Sequence, residues 1–281
     1  MPLDQPWAKF DQSRTGTIVR HHDLIAHAID VATMTATLLA NRQIRRMVAH
    51  AGGLKRLTNV QAARLAVIAG LHDIGKLNTG FFCRAEAGEW PGKPRPAGHL
   101  LEAFALQHDD ALRHAFTTAL HFEDNAEHWS EGGGDGLMGL LQAAWSHHGL
   151  PLRRPNDRDL DRASALWHDL ELPDGRRVTP IAWLNELIDA LRAAFPEAWV
   201  QGGPELPQAA TFQDTFAGLV AIADWQASSE PTATTPGFAW TDDPTDRAAD
   251  AEQAAERLAR AVGITNDIGP DLNANRFDPD K

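Results

Sequence analysis

Apolar residues recur at three- and four-residue intervals along most of this 281-residue chain, and the pattern predicts helices nearly everywhere. Over residues 24–39, Ile25, Ala28, Ile29, Ala32, Ala36 and Leu39 form one stripe. Leu24, His27, Val31, Met34 and Leu38 form a second. A helix apolar on almost every side belongs at the centre of a bundle, with His27 inside it rather than in water. Another helix is expected over 59–73, where Leu65, Ile68, Ala69 and His72 share a face and Gly75 supplies the stop. Further helices are predicted at about 98–118, 136–148, 179–194 and 211–228. Residues 77–97, rich in Gly, Pro and Arg/Lys, read as a long loop. The run Gly132-Gly133-Gly134-Asp135-Gly136 reads as a break. No internal repeat and no run of strands stands out. The expected fold is all-α, with one domain over residues 1–230. Residues 231–281 are expected to hold a Thr/Pro/Asp-rich linker (Pro231 to Pro244), an accessory helix over Arg247–Ala261 and an acidic tail.

Composition narrows the class. Hydrophobic residues at 43% and charged residues at 23% describe an ordinary globular protein. The apolar stretches fall short of the ~18 residues that span a bilayer, so no membrane role is expected. The start, Met1-Pro-Leu-Asp-Gln-Pro-Trp7, lacks the basic and apolar regions of a signal peptide, and a cytoplasmic location is expected. A single cysteine, Cys83, excludes an intramolecular disulfide and a Cys-rich zinc module. The net charge of −12 argues against a free-standing DNA binder with a basic field. Residues 226–281 hold eleven acids and five bases, so half of that excess lies outside the body. Even so, the body is not basic.

The chemistry rests on thirteen histidines and a few aspartates. His72-Asp73, followed by Ile74-Gly75-Lys76, offers a nitrogen and an oxygen donor to one metal ion, with a cation at the edge of the same site. His148 continues the stripe Leu137, Leu140, Leu141, Ala144, with His147 beside it and the breaker Gly149 after it. Asp224 lies one turn from Val220, and His99 opens a helix after Pro96-Ala97-Gly98. Each alone is as readily a satisfied core histidine or a capping aspartate. Together, buried imidazoles and carboxylates in one domain must pair with something. Mixed His/Asp donors without thiolate favour manganese, iron, nickel, cobalt or a catalytic zinc over structural zinc. So many donors are too many for one ion with an open position, and two ions sharing Asp73 is the natural count. His50, His108, His114, His121, His128 and His168 have polar neighbours and are expected at the surface, whereas His21 and His22 are candidates for the mouth of the site.

Gly70 to Lys76 fits the first seven positions of a phosphate-binding loop, but Leu77 stands where Ser or Thr should hold magnesium. The glycines also lie at a helix end rather than between a strand and a helix start, so no ATP site is expected.

His27 with Asp30, His72-Asp73-Ile74-Gly75-Lys76, Ala97-Gly98-His99, Ser146-His147-His148-Gly149 and Ala223-Asp224-Trp225 occur in this order. In these motifs the sequence resembles, over about residues 18–230, the HD-superfamily nuclease domain of the CRISPR-associated type I helicase–nuclease. The resemblance implies the helical bundle of HD-superfamily metal-dependent phosphohydrolases and a metal-dependent nuclease that cuts single-stranded DNA. It implies two partners: a helicase, attached or separate, that supplies the strand, and an RNA-guided surveillance complex that recruits it. Carried over by motif, His27, His72, Asp73 and Asp224 would hold one divalent ion and His99, His147 and His148 a second. Asp73 would bridge the two, and Lys76 would sit beside the scissile phosphate. No usable helicase motif is seen, so a stand-alone subunit or a domain cut from a longer protein is expected. Arg84, Lys93 and Arg95, with Phe81, Phe82 and Trp90, either touch a strand or simply pin the long loop. The rival enzyme is a nucleotide phosphohydrolase of the wider HD superfamily acting on a dNTP or cyclic dinucleotide in a closed pocket. A degenerate binding module would lack ligands, and none is missing.

Overall fold

The computed structural model describes residues 3–120, 129–132, 134–148 and 155–264. The chain opens with a hairpin of β1 (Trp7–Gln12) and β2 (Ile18–Asp23), turning at Gly16, whose φ of +79° suits a residue without a side chain. Then follow α1 (Leu24–Ala40), α2 (Arg42–Ala51), α3 (Asn59–Gly70), a 3-10 segment (Leu71–Leu77) and the short α4 (Thr79–Phe82). Next come α5 (Leu100–His108), α6 (Asp110–Leu120), α7 (Gly134–Trp145) and α8 (Asp157–Ser164). A small pair, β3 (Leu170–Glu171) and β4 (Arg177–Val178), precedes α9 (Pro180–Ala194), α10 (Ala210–Ala227) and α11 (Arg247–Ala261).

The molecule is mostly helical, as the periodicity predicts. Helix α1 is its axis, with α3, α9, α10 and α11 packed around it. Asp23 starts that helix by accepting from the Ala26 N–H at 2.9 Å, a side-chain cap for an otherwise orphaned donor. The sequence from Leu24 to Thr35 is buried without interruption, His27 and Asp30 included. Helix α11 lays Ala251, Ala254, Ala255 and Leu258 into the same core. Small residues there let its axis come close to α1.

The structure departs from the sequence reading in several places. Two strand pairs exist where no strands were expected; β1 and β2 are short and irregular, with register shifts at Trp7/Lys9 and Asp11/Gln12, which blurs a two-residue alternation. The helix expected over 98–118 is two helices. Asp109 breaks it, its carboxylate accepting from the N–H groups of Ala111 and Leu112 to start α6. Helices α2 and α8 were not anticipated because each buries only two or three residues. The helix expected to run to residue 73 stops at Gly70 and tightens into the 3-10 segment. His121, His128, Gly133, Gly149 and the tail after residue 264 lie outside the described residues. Among the described residues, no single helix is long and apolar enough to cross a bilayer.

Candidate metal centre

The 3-10 segment after α3 sets the centre. Asp73, with φ −106° and ψ 16°, leaves the helical path, so His72 and Asp73 present their side chains to the same space rather than to different faces. Gly75 is required there for a reason other than a sharp turn: its φ is not positive. A Cβ at Gly75 would lie 1.6 Å from the His99 carbonyl oxygen. The absent side chain therefore lets the start of α5 close onto the segment, bringing His99 Nε2 to 3.6 Å from Asp73 Oδ1. Asn78, which sequence reasoning did not single out, ties the two backbones by donating to Gly75 O at 2.7 Å and Gly98 O at 3.0 Å.

Four elements converge on Asp73. From α1, His27 Nε2 lies 3.2 Å from Asp224 Oδ1 and 3.8 Å from Asp73 Oδ2. His72 Nε2 lies 3.3 Å from Asp73 Oδ2 and 3.7 Å from Asp224 Oδ1, the latter carboxylate coming from α10. His147, just after α7, shares one potential ligand group with His72 and Asp224 and another with His99 and His148. Two imidazoles are oriented by their other nitrogen: His72 Nδ1–H donates to Ala69 O and His147 Nδ1–H to Ala144 O, each at 2.9 Å. In the neutral imidazoles their Nε2 atoms are thereby left as lone-pair donors aimed into the cluster.

Unpaired buried donor atoms support a cation in this place. His27 Nε2, His72 Nε2, Asp73 Oδ1 and His99 Nε2 are buried and have no hydrogen-bond partner. Orphaned ligand-type atoms at this density are costly unless something binds them. Burial pushes His27 down to about 3, and His99 and His147 to about 4, so all three favour the neutral form that binds metal. For His72 burial again opposes charge, but Asp73 and Asp224 outweigh it and push the imidazole up to about 9. Burial would raise both carboxyls. Lys76 and His72 instead hold Asp73 well below the usual range, while the adjacent His27 and His72 imidazoles do the same for Asp224. The donor set and its orphaned atoms fit divalent metal ions.

The residues expected at the site are gathered here with some changes. His147 is the buried member of its pair and His148 is exposed, the reverse of the stripe reading, because α7 ends at Trp145 and the following turn changes the phase. Lys76 is not free in the opening: its ammonium contacts Asp73 Oδ2 at 2.6 Å and Ala8 O at 3.3 Å. Phe81 and Phe82 are buried, Phe81 against Trp7 and Phe82 against Trp183, so they pin the long loop. Lys93 donates to Glu86 O and lies over Trp90 in the same loop. His50, His108, His114 and His168 are exposed, as expected.

His22 does not line the mouth. It is fully buried, with Nε2–H donating to Asp30 Oδ2 at 3.1 Å and Nδ1 accepting from Thr241 N–H at 3.2 Å. Arg247 grips both Asp30 oxygens at 2.7 Å. His22, His27 and Asp30 are close enough to form a further ligand group, but the bidentate guanidinium already satisfies that carboxylate. His22, Asp30 and Arg247 thus form a clasp between α1 and the C-terminal segment rather than a further metal site, and His27 is left to face Asp73 and Asp224.

One further residue was missed. Lys9 on β1 donates to Ser228 Oγ, and Ser228 in turn donates to Asp224 Oδ1 at 3.0 Å. The turn glycine between two short runs with β-branched and aromatic residues was the available signal for the hairpin that carries it.

Fold and donor set together define an HD-type helical metal-site protein. A family model described as "Cas3, HD domain" matches residues 7–233, and the chain belongs to that family of CRISPR-associated HD nucleases. Among solved structures, T. fusca Cas3 aligns with a TM-score of 0.54 at 20% identity, covering 93% of this chain and 27% of that one. The Thermus thermophilus Cas3 HD domain, crystallised in the presence of Ni2+, aligns with a TM-score of 0.52 at 20% identity, covering 86% and 85% of the two chains. A chain of a CRISPR RNA-guided surveillance complex in a pre-nicking state aligns with a TM-score of 0.52 at 20% identity, covering 94% and 29%. This chain thus spans about a quarter of the length of T. fusca Cas3. No curated protein matches.

Proposed function

We propose that this chain is a metal-dependent deoxyribonuclease that hydrolyses phosphodiester bonds of single-stranded DNA in CRISPR interference, with a helicase supplying the strand and a surveillance complex recruiting it. The observation that carries this reading is the orientation of the Asp73 carboxylate. Its Oδ2 faces His27 and His72, whereas its Oδ1 faces His99. One carboxylate addressing two histidine sets suits two divalent ions, one held with Asp224 and the other with His147 and His148. Manganese, nickel, cobalt or iron suits such donors, and the nickel present with the Thermus domain agrees with this.

When bound, divalent ions would activate a water and offset charge on the phosphoryl oxygens. The chain's own residues supply positioning. Ala69 and Ala144 carbonyls hold His72 and His147 in one tautomer. Lys9, through Ser228, orients Asp224. Lys76, slightly exposed beside Asp73, is placed to donate to an incoming phosphate. His99 and Asp224 are partly exposed and His148 is exposed, so the cluster opens at the surface, where a polymer backbone can reach it. The overall acidic balance disfavours long-range capture of duplex, which favours a flexible strand.

The deciding experiment compares labelled single-stranded DNA, blunt duplex, RNA, dNTPs and cyclic dinucleotides, each with Mn2+ or Ni2+ and without any helicase. Single strands should be cut fastest. Dominant hydrolysis of a free nucleotide would make this a nucleotide phosphohydrolase, and processive digestion of duplex would remove the need for a helicase.

A further inference from the structure

The chain is acidic overall, yet it contains no Asp or Glu between Asp30 and Asp73. Part of that stretch is core. The exposed part is α2 and the loop after it, which carry Arg42, Arg45, Arg46, Lys55 and Arg56. Arg42, Arg46, Lys55 and Arg56 are exposed, and among the described residues none of them is ion-paired with a carboxylate. Arg45 is half-buried and spends its guanidinium on Leu57 O at 3.0 Å and Asn59 Oδ1 at 2.9 Å. Burial, and after it the neighbouring Arg56, holds its pKa below the ordinary value. Gln43 and His50, both exposed, add neutral hydrogen-bonding groups to the same element.

Uncompensated like charges on one face repel one another and are most simply answered by an external polyanion. Protein partners usually need an apolar and aromatic centre to their interface, and here Met47 is the only exposed large hydrophobic residue. Arginine, lysine and glutamine without an apolar centre match a phosphate backbone instead. The face is also remote from the metal centre. Thr211, at the start of α10, donates to Ala51 O at the end of α2, while Asp224 lies near the other end of α10. At ~1.5 Å per residue this is roughly 20 Å along the helix.

We infer that the exposed basic face of α2 and its following loop, centred on Arg42, Arg46, Lys55 and Arg56, binds the phosphodiester backbone of nucleic acid outside the metal centre. It would hold a single strand by charge while the scissile bond sits elsewhere. This rests on the proposed nuclease function, and the test separates the two.

The test uses the full chain and a variant with Arg42→Glu, Arg46→Glu, Lys55→Glu and Arg56→Glu, with matching melting curves required of both. Binding to a fluorescent single-stranded 20-mer, and to its duplex, is measured by anisotropy in EDTA across a salt series. The variant should bind at least tenfold more weakly, and its log K against log[salt] slope for single strands should be shallower by about 0.7 per lost phosphate contact. Hydrolysis of bis(p-nitrophenyl) phosphate with Mn2+, a substrate too small to reach α2, should be unchanged. Equal affinity and slope for the two proteins would overturn the inference. So would tighter binding of the unaltered chain to polyglutamate than to the oligonucleotide, which would make the face a site for an acidic protein. Absence of phosphodiester hydrolysis in both proteins, with oligonucleotide binding still lost in the variant, would sink the nuclease reading and leave the basic face standing.

Discussion

Lys76 Nζ sits 2.6 Å from Asp73 Oδ2, on the same oxygen that faces His27 and His72. A single turn of 3-10 helix thus places a fixed cation against the carboxylate at the centre of the cluster. The ammonium keeps Asp73 ionised and, on the proposed function, would meet an approaching substrate phosphate. Replacing it with methionine keeps the stem and removes the charge. Lys76→Met should lower cleavage of single-stranded DNA by about 10²–10³-fold, the usual loss for one donor at a developing oxyanion. Steady-state kinetics check this; a change of less than about threefold in kcat would place Lys76 outside the chemistry.

Asp73 gives the strongest metal test because its two oxygens address different histidines. Asp73→Ala should abolish turnover and metal retention together while leaving the far-ultraviolet circular dichroism close to that of the parent. EDTA should stop cleavage in the parent, with Mn2+, Ni2+ or Co2+ restoring it better than Ca2+, which prefers all-oxygen shells. His50→Ala and His168→Ala, at exposed positions, should do neither. Undiminished cleavage in EDTA would end the metallonuclease reading.

The hydrogen-bond route from Lys9 to Asp224 runs through Ser228, so its effect should appear in metal binding. Supporting partners of metal ligands are typically worth 10–100-fold in affinity or activity. Lys9→Met and Ser228→Ala should each weaken Mn2+ affinity within that range in isothermal titration calorimetry, and the double variant should lose little more than either single one. Additive losses would mean that the two residues act separately.

Asp23 gives a stability test independent of metal. Burial pushes its carboxyl up to about 6, against the opposing hydrogen bonds from the Ala26 and Ile25 N–H groups. A raised carboxyl pKa means that the folded state binds the proton more tightly than the unfolded chain does. That contribution is full below about 4 and is lost as pH rises through about 6. Asparagine can cap α1 equally well but carries no charge. The stability of Asp23→Asn relative to the parent should therefore rise between pH 4 and pH 7, by about 1–3 kcal/mol. Urea titrations in EDTA at several pH values measure it, and a pH-independent difference would refute the assignment.

Much of this protein was legible from the chain. The all-round apolar character of residues 24–39 required a central helix, and that requirement alone put His27 in the interior. His72 follows from its phase against Leu65, Ile68 and Ala69. Periodicity carries this information because burying an apolar stripe leaves a helix few choices of face. It reports poorly on elements that bury little, and so α2, α8 and the β1–β2 hairpin escaped it. It also fails at helix ends, where the phase changes: His147 and His148 exchange their expected places within a turn of the end of α7.

Tertiary structure alone decided the rest. That Gly75 must be glycine depends on the His99 carbonyl, which the sequence places 24 residues away. That Asp30 is closed to metal depends on Arg247, which arrives from the far end of the chain. Lys9 reaches Asp224 only because the hairpin brings it to Ser228, just past the end of α10. In each case the partner is set by the packing of rigid elements around α1, and local residue patterns hold no record of which distant groups that packing brings within hydrogen-bonding reach.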